Sequence, residues 1–297
     1  MPSIRRDARV CFIRTPRYLW PFNSAASAFW PPLGFCSMAA ELRRRFDGLR
    51  ISILDCPVLR IGWKTLEERM RADRPDVVCI GEETVSAPEG LRLACLARRL
   101  NPGTVIIAGG VYFGSAPAET LAREPIDFIV GGEGEITLSE LIRALIEGGN
   151  PADIAGLAWK DDGGVVRINP HRGPIEDMDA LPMPAYDLLD VDAYGRGSRN
   201  HPAPASLEAS RGCAASCSFC ILWKHFGRSM NGTVSPERRA KSPERTFEEV
   251  KWLATRYGRR TIHFVDPTFN ADPEWISRFA DLMIASPTGA KFTAWMR

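Results

Sequence analysis

The chain has 297 residues, of which 45% are hydrophobic and 25% charged, and its 38 basic and 36 acidic residues leave a formal net charge of +2. This composition is typical of a globular protein of about two domains, and the balanced charge excludes the basic footprint of a nucleic-acid-binding protein. No stretch approaches the roughly 20 apolar residues of a membrane span, and the N-terminus lacks a secretory signal pattern, so we expect a cytoplasmic protein without membrane or nucleic-acid partners.

In the first 150 residues, short β-branched runs alternate with helical patterns. This alternation predicts an α/β fold with a doubly wound, Rossmann-like parallel sheet, which binds ligands at the carboxyl ends of its strands. The predicted strands are 10–13, 49–54, 77–80, 105–108 and 128–130, and the predicted helices are 33–46, 65–71, 89–100, 118–123 and 138–147.

Glycines follow two of these predicted strands. Gly109 and Gly110 come after the fourth strand, and the run 131–135, Gly-Gly-Glu-Gly-Glu, comes after the fifth. Backbone amides at such a helix start attract phosphate, but Thr137 takes the third glycine position of a dinucleotide fingerprint. No acidic residue ends a following strand about 20 positions on, so nicotinamide binding is disfavoured. The glycines could also serve only tight turns.

Residues 151–204 are predicted to form a hairpin and a linker. Segments 156–160 and 165–168 can pair across a turn, and the run 172–204 is rich in Pro, Asp and Gly without apolar periodicity. We therefore expect a first domain over 1–150, this linker over 151–204, and a second domain over 205–297.

Three cysteines are clustered just after a predicted strand at 205–209. Cys213, Cys217 and Cys220 have the spacing C-x3-C-x2-C, one thiolate fewer than the usual cage of four. A 4Fe-4S cluster held by three thiolates would leave one iron free for another ligand. The alternatives are structural zinc with His225 as a fourth ligand, or three buried cysteines without a metal. The other cysteines are scattered singly, which is typical of buried small side chains and not of a disulfide framework.

With Phe219 at its aromatic position, the cysteine motif resembles that of the radical S-adenosylmethionine (SAM) superfamily. This resemblance implies that the three cysteines bind a 4Fe-4S cluster and that SAM binds the free iron. It also makes Asp266 and Arg297, near the ends of the next two predicted strands, candidates for SAM contacts. Asp266 could equally be a turn or helix-cap carboxylate.

The pattern after residue 205 is that of the start of a partial βα barrel. Helices are predicted over 247–257 and 274–283, and strands over 262–265 and 292–295. With so few units a barrel cannot close and the last strand keeps an unpaired edge, so we expect the chain to be a fragment of a longer protein.

Segments 75–81, 106–110, 126–135 and 179–184 resemble the cobalamin-binding domain and linker of cobalamin-dependent radical SAM enzymes. The four histidines lie beyond residue 150, and a cobalt-ligating Asp-x-His-x-x-Gly motif is lacking, so we expect no histidine of the first domain on cobalt. The resemblance implies cobalamin contacts from the following residues: Thr84, Ser86, Gly109, Gly110, Gly131, Gly132, Glu133 and Gly134.

The resemblance as a whole implies an enzyme that uses SAM, a 4Fe-4S cluster and cobalamin to modify an unactivated carbon of a small-molecule or peptide substrate, most commonly by methylation. A one-electron donor such as flavodoxin or ferredoxin would be needed. Segments 220–224 and 264–269 also resemble the anaerobic magnesium-protoporphyrin monomethyl ester oxidative cyclases, although Trp223 and Lys224 can equally be ordinary packing and surface residues. A cofactor-binding protein without catalytic activity is the third alternative.

Overall fold

The computed structural model describes residues 1–17, 30–81, 83–196, 198–230 and 233–297. In the first half of the chain, strands and helices alternate as predicted. In chain order they are β1 (Arg9–Arg14), α1 (Leu33–Arg45), β2 (Arg50–Asp55), α2 (Trp63–Asp73), β3 (Val77–Gly81), α3 (Ala87–Leu100), β4 (Val105–Gly109), α4 (Gly110–Ser115), α5 (Pro117–Arg123), β5 (Phe128–Val130), α6 (Gly134–Glu147), β6 (Leu157–Lys160) and β7 (Val166–Ile168).

These strands form one seven-stranded sheet in the order β2-β1-β3-β4-β5-β6-β7. Strands β1 to β5 are parallel, whereas β6 and β7 join antiparallel at the edge. The chain goes from β1 outward to β2 and then crosses to β3 on the other side, which is the doubly wound connection. The predicted parallel sheet is therefore confirmed, and the predicted hairpin continues this same sheet.

The parallel strands bury both faces, because helices cover each side of the sheet. Phe12, Cys79 and Ile107 pack with α1 and α6 in one apolar cluster. Their neighbours along the strands point to the opposite face, as strand geometry requires, where Ile13 and Ile80 pack with α2 and α3. The two-sided apolar runs that predicted these strands therefore reflect two separate cores.

The second half contains short ribbons and the start of a barrel. Its elements are β8 (Pro204–Leu207), β9 (Ser210–Gly212), α7 (Leu222–His225), β10 (Arg228–Met230), β11 (Thr233–Ser235), β12 (Arg238–Ala240), α8 (Pro243–Arg256), β13 (Thr261–Phe264), α9 (Pro273–Ala285) and β14 (Lys291–Ala294). Strands β14, β13 and β8 form a parallel sheet in that order, whereas β9 pairs with β12 and β10 with β11 as antiparallel ribbons. The predicted partial βα barrel is confirmed.

Helices α8 and α9 cover one face of the barrel sheet, and each begins at a polar cap followed by proline. The Ser242 hydroxyl accepts a hydrogen bond from Arg245 N, and the Asp272 carboxylate accepts from Glu274 N and Trp275 N. Proline suits the first helical position because its missing N–H has no partner there in any case. The opposite face of the sheet stays free of these helices.

The segment predicted to be a linker packs tightly between the two sheets. Tyr186 is fully buried, and its hydroxyl donates to Ser206 O at 2.5 Å and accepts from Ser206 N at 2.9 Å. One apolar cluster contains Phe12 of the first sheet together with Phe264 of the second, so the core is continuous. The division into 1–150, 151–204 and 205–297 stays a prediction. Within the described ranges, no helix combines the length and the apolar character needed to cross a membrane.

Candidate cofactor site at the strand ends and the cysteine loop

The predicted cobalamin contacts lie at the carboxyl ends of neighbouring parallel strands in the first sheet, and these strand ends are called the cobalamin edge. Thr84 and Ser86 follow β3, Gly109 ends β4, and Gly131 follows β5, and these three parallel strands are neighbours. Thr84 is exposed, whereas Ser86 is buried and its hydroxyl donates to Glu83 O at 3.3 Å. The structure thus brings the predicted residues together, and their contact with cobalamin stays a prediction.

Two glycines at this edge have a backbone that favours glycine. Gly110 has a φ of 84° and Gly132 a φ of 66°, a left-handed conformation that other residues rarely adopt. A Cβ added to Gly132 would lie 3.4 Å from His171 Nε2 and 3.8 Å from His225 O. These distances are ordinary van der Waals contacts, so the positive φ, and not crowding, is what favours glycine at position 132.

The cysteine loop lies next to this edge. His225 ends α7, which follows the loop, and its Cε1 would be 3.7 Å from a Cβ at Gly114 on α4. Burial lowers the pKa of His225, and nearby His171 lowers it further, while Glu133 acts in the opposite direction. His225 lies between the glycine loop (residues 131–135) and the cysteine loop (residues 213–220), and its imidazole is therefore expected to be neutral at pH 7.

The three cysteines are free and partly exposed thiols. Cys213 Sγ lies 3.5 Å from Ala215 N and 3.7 Å from Thr268 Oγ1. Cys217 O accepts hydrogen bonds from Cys220 N at 3.1 Å and from the Trp223 indole at 3.0 Å. Backbone and indole hydrogen bonds thus shape the loop, and Cys213 Sγ takes part in this local network.

A cluster and a single ion make different demands on these donors. Among the residues that the structure describes, no three His, Cys, Asp or Glu side chains converge closely enough to hold one metal ion. A tetrahedral zinc needs four ligands at one point. In an iron-sulfur cube each thiolate binds a different iron, so Cys213, Cys217 and Cys220 need not meet at one point.

Asp266 follows β13 and is fully buried. Its Oδ2 accepts from Ala209 N at 3.0 Å and its Oδ1 from the Ser210 hydroxyl at 2.5 Å. Burial raises the pKa of Asp266 to about 6, although the Ser210 and Ala209 donors act in the opposite direction. The carboxyl group thus ties the end of β13 to the residues that lead into Cys213, and its contact with SAM stays a prediction.

The other two predicted SAM contacts are exposed. The Phe219 side chain is 90% exposed on the cysteine loop. Arg297 follows β14, where its backbone N donates to Asn270 Oδ1 at 3.0 Å and its carbonyl accepts from Asn270 Nδ2 at 3.1 Å. Both residues are accessible from the side of the barrel where the strands end, and their roles stay predictions.

Sequence reasoning missed a polar row on the face of the barrel sheet away from α8 and α9. Ser206, His263 and Thr293 are register partners on the three adjacent strands. His263 Nδ1 lies 2.8 Å from Thr293 Oγ1, and the Trp30 ring stacks on His263 with centroids 4.4 Å apart. The only local sign is the interruption of an apolar strand by His263, which does not name its partners.

Sequence reasoning also missed a buried group of charged side chains just before the cysteine loop. Arg211 forms ion pairs with Glu133, Glu135 and Glu208, and Arg239 pairs with Glu133. Glu133, a predicted cobalamin contact, therefore uses both carboxylate oxygens within the protein. The sequence does contain one signal for this contact: the glycine loop carries acidic residues, and the residue beside the cysteine motif is basic, so their charges are opposite.

Comparison with known proteins gives the class of protein that this fold and site define. The family model of the B12 binding domain matches residues 21–142, and that of the radical SAM superfamily matches residues 207–291. A B12-binding domain joined to a radical SAM domain defines the cobalamin-dependent radical SAM enzymes. The two domain matches confirm the resemblance that the sequence predicts, and the predicted cofactors, cobalamin, SAM and a 4Fe-4S cluster, are those with which the similar solved structures were determined.

Curated relatives include methyltransferases and a cyclase. The chain is 32% identical over 241 residues to an uncharacterized methyltransferase of Pyrococcus horikoshii, with 80% of this chain and 49% of the relative covered. It is 28% identical over 251 residues to the anaerobic magnesium-protoporphyrin IX monomethyl ester cyclase of Synechocystis sp., with 81% and 46% covered. The chain thus spans about half the length of these relatives.

Two solved structures share the fold. The cobalamin-dependent SAM radical enzyme OxsB, solved with aqua-cobalamin and SAM, has a TM-score of 0.73 at 20% identity, with 96% of this chain and 38% of OxsB covered. The methyltransferase TsrM from Kitasatospora setae, solved with cobalamin and a [4Fe-4S] cluster, has a TM-score of 0.67 at 22% identity, with 95% and 52% covered. At these identities the likeness concerns the fold alone.

Proposed function

We propose that the protein is a methyltransferase that acts on an unactivated carbon of a small molecule or peptide. The observation that carries this proposal is the packing of α7 against α4 and the glycine loop, with His225 Cε1 3.7 Å from a Cβ position on Gly114 and His225 O 3.8 Å from one on Gly132. This contact brings a cobalamin-type strand edge next to a three-thiolate loop. The methyltransferase names of several relatives support the same class of reaction.

The chain's residues would divide the work as follows. Cys213, Cys217 and Cys220 would hold the cluster, and the glycines after β4 and β5 would let cobalamin approach the backbone closely. When bound, cobalamin supplies a methyl carrier, and the cluster with SAM supplies one-electron chemistry. Positioning these groups and excluding water would be the protein's contribution.

Within the polar row, His263 and Thr293 are partly exposed and are the candidate contacts for SAM or substrate, whereas Ser206 is buried. Burial lowers the pKa of His263, and His201 lowers it further, whereas Thr293 acts in the opposite direction. A neutral imidazole can donate at one nitrogen and accept at the other, so His263 could orient a polar group of a ligand. Trp30 covers this row from the side of the first domain.

An oxidative cyclase is the second candidate, because two relatives at 28% and 27% identity are named as anaerobic cyclases. The segment that resembles them contains Trp223 and Lys224. Trp223 donates to Cys217 O, and the Lys224 ammonium lies 5.3 Å from the centroid of the Trp223 ring. Both side chains therefore have a local role in the cysteine loop, which leaves the relatives' names as the support for a cyclase.

One anaerobic experiment separates these candidates. The chain, loaded with cluster and cobalamin, is incubated with SAM carrying a deuterated methyl group, a one-electron reductant and an extract of small molecules, and the products are followed by mass spectrometry. S-adenosylhomocysteine together with a deuteromethylated product supports the proposal. Oxidation of added magnesium-protoporphyrin monomethyl ester without methylation supports the cyclase. If a chain with an intact cluster forms neither S-adenosylhomocysteine nor 5'-deoxyadenosine, the protein is not a catalyst of either kind.

A further inference from the structure

A buried cluster of five charges joins the glycine loop to the start of the cysteine loop. Arg211 Nη2 lies 2.6 Å from Glu135 Oε1 and 2.5 Å from Glu208 Oε1, and Arg211 Nη1 lies 3.2 Å from Glu133 Oε2. Glu133 Oε1 accepts from Arg239, and Glu133 Oε2 also accepts from Ile175 N at 3.1 Å. The side chains of both arginines and of Glu133 and Glu135 are at most 8% exposed.

Glu133 offsets a repulsion built into the ribbon that leads to the cysteines. In the β9–β12 ribbon, Arg211 is the direct register partner of Arg239. Like charges directly opposite each other destabilise a strand pair, and burial strengthens that effect. Because the Glu133 carboxylate accepts from both guanidinium groups, it screens the pair. A residue of the first domain therefore stabilises a ribbon of the second.

Arg211 and Glu208 each hold the other's pKa on the side that favours the ionised form. Burial alone would lower the pKa of Arg211, but Glu135 and Glu208 raise it well above its ordinary value. Burial likewise opposes ionisation of Glu208, yet Arg211 and then Lys241 hold its pKa below its ordinary value. Breaking a buried ion pair leaves an uncompensated charge, whereas well-packed apolar replacements are often tolerated. Stability alone therefore gives little reason for such a cluster.

The connection from this cluster to the first cysteine is short and rigid. Only Gly212 separates Arg211 from Cys213. Gly212 has a φ of 80°, and a Cβ there would lie 2.0 Å from Glu237 O. With so little room for adjustment, a displacement of the Arg211 guanidinium relative to Glu133 is passed on to Cys213.

We propose that Glu133 and Arg211 are positioning residues that set the cysteine loop, and the cluster it would hold, relative to the cobalamin edge of the first domain. This inference rests on the proposed function, because methyl transfer would require the cobalamin and the SAM at the cluster to be aligned. Reductive cleavage of SAM at the cluster would need the cluster, SAM and one electron from the added reductant, and would not need cobalamin. Misalignment should therefore reduce S-adenosylhomocysteine formation more than 5'-deoxyadenosine formation.

The test compares Glu133→Gln with Glu119→Gln in the full chain. Glu119 forms an exposed ion pair with Arg123 within α5 at 2.8 Å and serves as the control. For Glu133→Gln we expect hydrogen exchange at residues 210–213 and 238–240 to quicken roughly tenfold, because the screened pair is exposed to repulsion. With iron, sulfide and cobalamin contents at the wild-type level, the ratio of S-adenosylhomocysteine to 5'-deoxyadenosine should fall roughly tenfold. Glu119→Gln should change neither quantity.

A second variant keeps the test decisive if the Glu133→Gln protein binds too little cluster or cobalamin for the product ratio to be measured. The double variant Glu133→Gln/Arg239→Gln no longer has the like-charge pair. Its iron, sulfide and cobalamin contents should therefore partly recover, and hydrogen exchange at residues 210–213 should slow again. If the two substitutions only removed contacts, their effects would add and no recovery would be seen. An unchanged product ratio in the loaded Glu133→Gln protein overturns the inference, as does a double variant that exchanges faster than Glu133→Gln. If the wild type forms neither product, the proposed function fails, and the exchange comparison alone still decides whether Glu133 holds the ribbon.

Discussion

Trp30 stacks on His263 with ring centroids 4.4 Å apart and an interplanar angle of 25°. Trp30 precedes the first helix of the first domain, whereas His263 lies on the middle strand of the barrel sheet. Beside them, the Ser206 hydroxyl donates to Pro31 O at 2.9 Å. The segment before α1 therefore covers the polar face of the barrel sheet, and the two halves of the protein share this surface.

The stacked pair should contribute to stability. Replacing Trp30→Ala removes a large ring from this contact, so we expect the free energy of unfolding to fall by about 2 kcal/mol, from lost burial and the ring interaction. Chemical denaturation checks this. Trp295→Ala is the control, because Trp295 is 65% exposed and its centroid is 6.5 Å from that of His263. Equal losses for the two variants would show that the stacking is not important.

Gly212 should not tolerate a side chain. Gly212→Ala places a Cβ 2.0 Å from Glu237 O at a φ of 80°, so the β9–β12 ribbon must open. We expect a loss of about 3 kcal/mol or more in the free energy of unfolding and a lower iron content. Gly258→Ala is a matched control: its φ is 63°, but no atom lies within 4 Å of its Cβ position, so only the backbone cost of about 1 kcal/mol applies. Similar losses for both would contradict the close approach at Gly212.

Much of this architecture follows from local patterns in the sequence. The strands of the first sheet were predictable because two-sided apolar runs such as 105–108 are short and bounded by turns. The cysteine loop was predictable because Cys213, Cys217 and Cys220 are close in sequence. The pair Arg211 and Glu133 was not, because these residues lie 78 positions apart and meet only in the folded protein. The stacking of Trp30 on His263 is likewise a long-range contact and leaves no periodic trace in the sequence.

Asp266 predicts a pH dependence of stability. Its pKa is raised from 3.8 to about 6 in the folded protein, so between these values the folded state binds more protons than the unfolded state. The contribution of Asp266 to the free energy of unfolding therefore falls as pH rises from about 4 to 6, by up to about 3 kcal/mol, since a tenfold change in protonation corresponds to about 1.4 kcal/mol.

The variant Asp266→Asn removes this titration. An amide can still accept from Ala209 N and donate to the Ser210 hydroxyl, so the local bonds are kept. Denaturation curves measured from pH 4 to 7 should show a flatter pH dependence in Asp266→Asn than in the wild type. Parallel pH profiles for the two proteins would mean that Asp266 titrates normally.

The cysteine loop predicts selective loss of the cluster. Cys217→Ser should abolish the visible absorbance of an iron-sulfur cluster and most bound iron, because an alcohol is a poor ligand for the cluster irons. Cobalamin binding at the strand edge of the first sheet should persist. Cys95→Ser is the control, since Cys95 is an exposed thiol on α3. A Cys217→Ser protein that retains iron and sulfide at the wild-type level would contradict the assignment.

The central claim is that one chain holds an iron-sulfur cluster on three cysteines beside a cobalamin edge. The most direct measurement is the analysis of iron, sulfide, zinc and cobalamin in the anaerobically purified and reconstituted chain. We predict about four iron and about four sulfide per chain, together with stoichiometric cobalamin. Stoichiometric zinc without sulfide, or a cluster in a chain that takes up no cobalamin, would contradict it.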